Sequence, residues 1–151
     1  MLHADSALLP AFLEMKGDFY LHVSASLASL LEGQRSWITN LSNASSLLYH
    51  SLNSWRESSR DINDSTKGKP VNWTGFYLLS GLFPASPSQP ALLKLKGKKV
   101  PTIVLGPFHG LPACQAIPSV PGKGVCADGS AKLPPASIRV PRTDDYREYQ
   151  H

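Results

Sequence analysis

An α+β fold is predicted for this chain of 151 residues by two observations. Apolar side chains recur at steps of three and four through the first third of the sequence, and after Val71 the period drops to two in short runs separated by Gly and Pro. Two amphipathic helices followed by a meander of strands is an arrangement that buries both kinds of stripe. The length, with 42% hydrophobic and 17% charged residues, suits a single domain with a modest core.

Residues 1–17 mix His3, Asp5 and Pro10 with scattered apolar side chains and read as a loose lead-in. A helix is expected from Phe19, with Val23, Leu27, Leu30 and Leu31 on one stripe, Asp18 as its cap and Gly33 as its stop. A second is expected from Arg35 to Trp55. There Trp37, Leu41, Ala44, Leu48, Leu52 and Trp55 form the apolar face, its tryptophans are core, and Ser and Asn fill the other face. Residues 57–70 are polar and read as a surface connection. A strand starts at Val71, with Trp73, Gly75, Tyr77 and Leu79 on one face and Thr74, Phe76 and Leu78 on the other. A proline-rich loop follows. LLKLKGKKVPTIVLGPF then reads as two strands joined near Gly97, with Pro101 forcing a late start or an edge position on the second. The folded domain is expected over residues 18–132, and residues 133–151, rich in Pro and charge, read as an irregular tail.

The formal net charge is +4, and no basic run is interleaved with aromatics, so a nucleic-acid partner is not expected. Lys94, Lys96, Lys98 and Lys99 read as a solvated edge. Two cysteines make neither a disulfide scaffold nor a zinc set, and thiols in a reducing, cytoplasmic setting fit them better. Neither a leader-type segment nor a membrane-length apolar run is recognised. The glycosylation-type triplets at Asn40, Asn43, Asn63 and Asn72 therefore read as chance matches. Phosphate-cradling, HExxH and dinucleotide patterns do not occur.

Candidate chemistry gathers between Gly106 and Cys126. Cys114 and Cys126 border a Gly- and Pro-punctuated segment able to bring two thiols together, and composition alone leaves open whether they are redox-active or small buried hydrophobes. Trp73 and Tyr77 share a face with Gly75 between them. That gap could admit a ligand, although strand aromatics more often pack beneath a helix. His109 reads as a solvated loop residue.

Three segments, NLSNASSLLYHSL, VNWTGFYLL, and LGPFHGLPACQAI ending in GKGVC, together resemble the free methionine-R-sulfoxide reductases, single-domain GAF proteins. The resemblance runs from about Trp37 to Cys126. It implies an antiparallel sheet with the N-terminal helices on one face and a ligand pocket on the other. It also implies thiol-dependent reduction of free methionine-R-sulfoxide as an oxidative-stress repair, with thioredoxin and its NADPH-dependent reductase as electron source. No bound cofactor or metal, nucleic acid or membrane is implied, and a homodimer is compatible with it. By position, Cys114 corresponds to the resolving cysteine and Cys126 to an auxiliary one. Trp73 and Tyr77 correspond to the aromatic pair lining the substrate pocket, which reverses the preference from spacing alone.

The chain also departs from that pattern. The family's nucleophile is a third cysteine in a segment resembling GHIACD, and this sequence has no cysteine after Cys126. The acidic substrate-binding residues are not recognised either, and Asp144, Asp145 and Glu148 stand in no version of their motif. The Cys114–Cys126 loop is longer than usual, and Ala127 replaces a common glycine. The expectation is an incomplete GAF-like domain, shortened or frame-altered at its C-terminal side, lacking part of the sheet and impaired in catalysis. The alternatives are a GAF module that binds a small molecule without chemistry and a simple Cys114–Cys126 dithiol switch.

Overall fold

Every fourth residue from Phe19 faces the same way along the first helix, and this stripe starts the core. The computed structural model describes residues 9–10, 13, 15–58, 67–83, 93–95 and 97–132. The tail from residue 133 and the side chains of Lys94, Lys96, Lys98 and Lys99 lie outside the described residues. Helix α1 spans Lys16–Leu31 and buries Phe19 and Val23. Both meet Trp55 of helix α2, Trp37–Ser58. The Phe19 and Trp55 rings stack with centroids 4.9 Å apart, and Leu9, Leu13, Leu27, Leu48 and Leu52 close around them. Leu9 and Leu13 thus pin part of the lead-in to the core. The helix starts earlier than expected, at Lys16, so Asp18 lies in its first turn rather than at the cap. Its carboxylate is still favoured there by the positive end of the helix dipole. Gly33, at φ 72, follows the last turn as expected.

Ser36 caps α2, its hydroxyl accepting the Thr39 N–H at 3.3 Å. Two expectations fail on this helix. Trp37, expected in the core, is 47% exposed and meets Phe83 edge-on at 6.4 Å, because it occupies the first turn. Ser45 and Ser51, expected on the polar face, are buried. The reason is that α2 is covered by α1 and by the sheet, so its buried arc is wider than its apolar stripe.

Strand β1 is Trp73–Leu79, and a 3-10 turn at Ser80–Leu82 follows it. Strands β2, Leu93–Leu95, and β3, Lys98–Val100, form a separate hairpin around Gly97, whose φ is 78. Strand β4 runs Thr102–Gly110 and β5 Ala116–Pro118. The expected second strand is therefore split at Pro101. The main sheet has the order β1-β4-β5, antiparallel throughout. A third helix, α3, Val125–Lys132, and strand β5 were not anticipated from the sequence. α2 packs on both β1 and β4, and Asn53 ties it to the approach to β1 by accepting the Val71 N–H at 2.7 Å.

The Phe19–Trp55 stack joins the two helices, so Phe19→Ala is expected to cost about 3–5 kcal/mol, read as a lower urea midpoint with an unchanged slope.

Candidate functional site

The faces of β1 are fixed by Thr74, whose hydroxyl donates to the Ser45 carbonyl of α2 at 2.7 Å. Trp73 and Tyr77, of opposite parity, therefore project away from the helix. Their rings meet edge to face, centroids 5.8 Å apart at 80°. The spacing-based preference for rings packed beneath a helix is corrected by this arrangement.

The expected gap at Gly75 is also corrected. Gly75 pairs with Phe108, and a Cβ added to it would run into the Phe108 Cβ and Cα and the Pro107 carbonyl. Glycine here lets β4 approach closely rather than leaving space for a ligand. Beyond this pair the register shifts, because Gly75 opposes Phe108 while Tyr77 opposes Leu105. β4 thus carries one extra residue, a bulge at Gly106 and Pro107, where the missing proline N–H does no harm. Its effect is to put Leu105 and Phe108 on the Trp73–Tyr77 face. Neither residue was identified from sequence, since an unbroken period would have placed them on opposite faces.

After Gly110, at φ 109, the chain doubles back. Leu111 N donates to Asn72 O at 2.8 Å, and Leu105 N to Gln115 O at 2.9 Å. This return path holds Cys114 two residues before β5. The Tyr77 hydroxyl reaches across β4 and donates to the Cys114 carbonyl at 2.7 Å. Cys126 is the second residue of α3, not a loop residue. That helix is fastened by Gly122 N donating to Asp128 Oδ1 at 2.6 Å and by Ser130 Oγ donating to Ser119 Oγ at 2.9 Å. Ala127 is fully buried beneath it. Both thiols are free and exposed, which removes the reading of them as buried hydrophobes. Burial, then the charge of Cys114, then that of Cys126 push the Tyr77 phenol above its ordinary value.

His109 lies in β4 rather than in a loop. Its ring packs against Tyr49 at 5.0 Å and His50 at 4.9 Å, both on α2, so it faces away from the aromatic pair. Among the described residues, no group of three His, Cys, Asp or Glu could hold a metal ion, and no helix is long and apolar enough to cross a membrane.

No protein-family model matches the chain. Curated relatives do. The free methionine-R-sulfoxide reductase of Saccharomyces cerevisiae is 31% identical over 95% of this chain and 62% of its own length. That of Escherichia coli is 31% identical over 78% and 48%, and the protein YtsP of Bacillus subtilis 34% over 82% and 51%. A solved structure titled structure of the GAF domain superposes with a TM-score of 0.56 at 31% identity, over 87% of this chain and 56% of that one. The chain is similar to the free methionine-R-sulfoxide reductases over most of its own length.

Its fold is accordingly GAF-like, with the N-terminal helices on one face of an antiparallel sheet. The chain spans about half to three-fifths of the length of these relatives. Within this fold, Trp73, Tyr77 and the segment bearing Cys114 come together on the face of the sheet opposite α2. The arrangement sets an aromatic corner beside the backbone that carries the exposed Cys114 thiol.

A methyl at Gly75 has nowhere to go, and Gly75→Ala should lower stability by about 1–3 kcal/mol in chemical denaturation. A second expectation concerns alkaline pH. The raised folded-state pKa of Tyr77 means that its contribution to stability is complete below about pH 10, the unfolded value, and is lost as pH rises through the folded one. The difference between ultraviolet titrations of the wild type and Tyr77→Phe should show a phenol ionising later than free tyrosine.

Proposed function

We propose that the protein reduces free methionine-R-sulfoxide to methionine by thiol chemistry, with Trp73 and Tyr77 lining the substrate site and Cys114 and Cys126 as the redox-active residues. One observation carries this reading: the side chain that forms the aromatic corner with Trp73 also bonds the Cys114 carbonyl at 2.7 Å. A sulfoxide whose methyl packs on those rings would lie beside the thiols.

The chemistry needs two thiols. A thiolate attacks the sulfoxide sulfur, methionine leaves, and the oxygen remains on the cysteine as a sulfenic acid. A second thiolate attacks that sulfur, water leaves, and a disulfide forms. Thioredoxin, kept reduced by its NADPH-dependent reductase, regenerates the dithiol by exchange. Cys114 takes the resolving role. Cys126 is the other thiol of these 151 residues, so a cycle run by them alone requires Cys126 to attack. The exposure of both thiols suits exchange with a protein reductant in a reducing compartment such as the cytoplasm.

A second reading is favoured by the cysteine count of two, one short of the family pattern. In this reading the domain binds the sulfoxide without turning it over.

The deciding assay follows free methionine-R-sulfoxide with thioredoxin, thioredoxin reductase and NADPH, with the S epimer as control. R-selective consumption is the expected result, and Cys114→Ser should abolish cycling while leaving ligand binding nearly unchanged. Binding without turnover by a folded sample would establish the second reading instead.

A further inference from the structure

The Tyr77 side chain has two ends with different neighbours. Its ring stands edge to face with Trp73, and its hydroxyl, on the far side of β4, holds the Cys114 carbonyl. The segment it holds is otherwise fixed at its ends, by Leu111 N to Asn72 O and by Leu105 N to Gln115 O. Between those anchors lie Pro112, Ala113 and Cys114, where Pro112 has no N–H to give. Cys114 itself is exposed, so packing does little to fix its position.

We propose that Tyr77 is a positioning residue: its hydroxyl holds the backbone of Cys114 and so sets how readily the Cys114 sulfur pairs with Cys126. This rests on the reading of the two cysteines as a redox pair. The ring of Tyr77 accounts for an aromatic wall, but a phenylalanine would serve that purpose equally. The hydroxyl is explained by the carbonyl it meets. Because burial and the nearby thiol charges keep the phenol protonated, the donor persists over the pH range in which thiols ionise and exchange.

The test uses Tyr77→Phe, which keeps the ring and removes the donor. Wild type and variant are equilibrated in buffers of reduced and oxidised glutathione, and the Cys114–Cys126 disulfide is quantified by mass spectrometry after alkylation. In that equilibrium the two thiols lose two electrons and two protons to oxidised glutathione, which leaves as two molecules of glutathione.

In Tyr77→Phe the equilibrium constant for the internal disulfide should fall about fivefold, as expected for losing one neutral hydrogen bond that orders the pair. Amide exchange at residues 111–115 should accelerate. Thr74→Ala, which removes a hydrogen bond from the other face of the same strand, should change neither. The proposal is overturned by a wild type that forms no internal disulfide, by identical equilibria in wild type and Tyr77→Phe, or by an equal shift in Thr74→Ala. Absence of sulfoxide turnover with the Tyr77 effect intact would remove the reductase reading and leave the positioning role standing.

Discussion

At Ser45 the second helix comes close enough to hydrogen-bond both long strands, and the geometry of the far face depends on its hold on the bulge of β4. The Ser45 hydroxyl is 2.7 Å from Leu41 O in its own helix and 3.1 Å from Pro107 O in β4, while its carbonyl accepts from Thr74 of β1. Only a small residue fits such a seam. Pro107 lies in the bulge, where no residue of β1 stands directly opposite, and the serine hydroxyl gives its part-buried carbonyl a partner. Helix and bulge therefore stabilise one another.

The bulge in turn determines what faces away from α2. Side chains alternate along a strand, so Leu105 and Phe108, three positions apart, cannot share a face in a regular β4. One extra residue lets Phe108 oppose Gly75 and Leu105 oppose Tyr77. The aromatic corner of Trp73 and Tyr77 is thereby backed by two apolar neighbours.

Much of this was legible in the sequence because period carries physical meaning. The stripes of α1 and α2, the parity of β1 and the hairpin at Gly97 all follow from it. What was not legible has specific causes. Serines at 45 and 51 look polar, yet a hydroxyl as short as that of Ser45 can bond within its own helix and be buried at little cost. Strand β5 is three residues long and ends on a proline, and α3 spans eight residues containing Gly129, so neither offers a period to detect. The pairing of Trp73 with Tyr77 was readable from even spacing. The partner of the Tyr77 hydroxyl was not, because it is a backbone carbonyl 37 positions away, and no side-chain pattern announces a carbonyl.

Cys114 and Cys126 belong to separate pieces of structure, one on the return from β4 and the other on α3, and Tyr77 holds the backbone of the first. That residue also forms half of the aromatic corner. On the proposed reading, with a ligand on the rings and the two sulfurs as a redox pair, thermodynamic reciprocity couples the two sites. By whatever factor a ligand on the rings shifts the dithiol–disulfide equilibrium, the oxidation state of the sulfurs must shift that ligand's affinity by the same factor. A module built this way reads ligand occupancy and redox poise as two sides of one equilibrium.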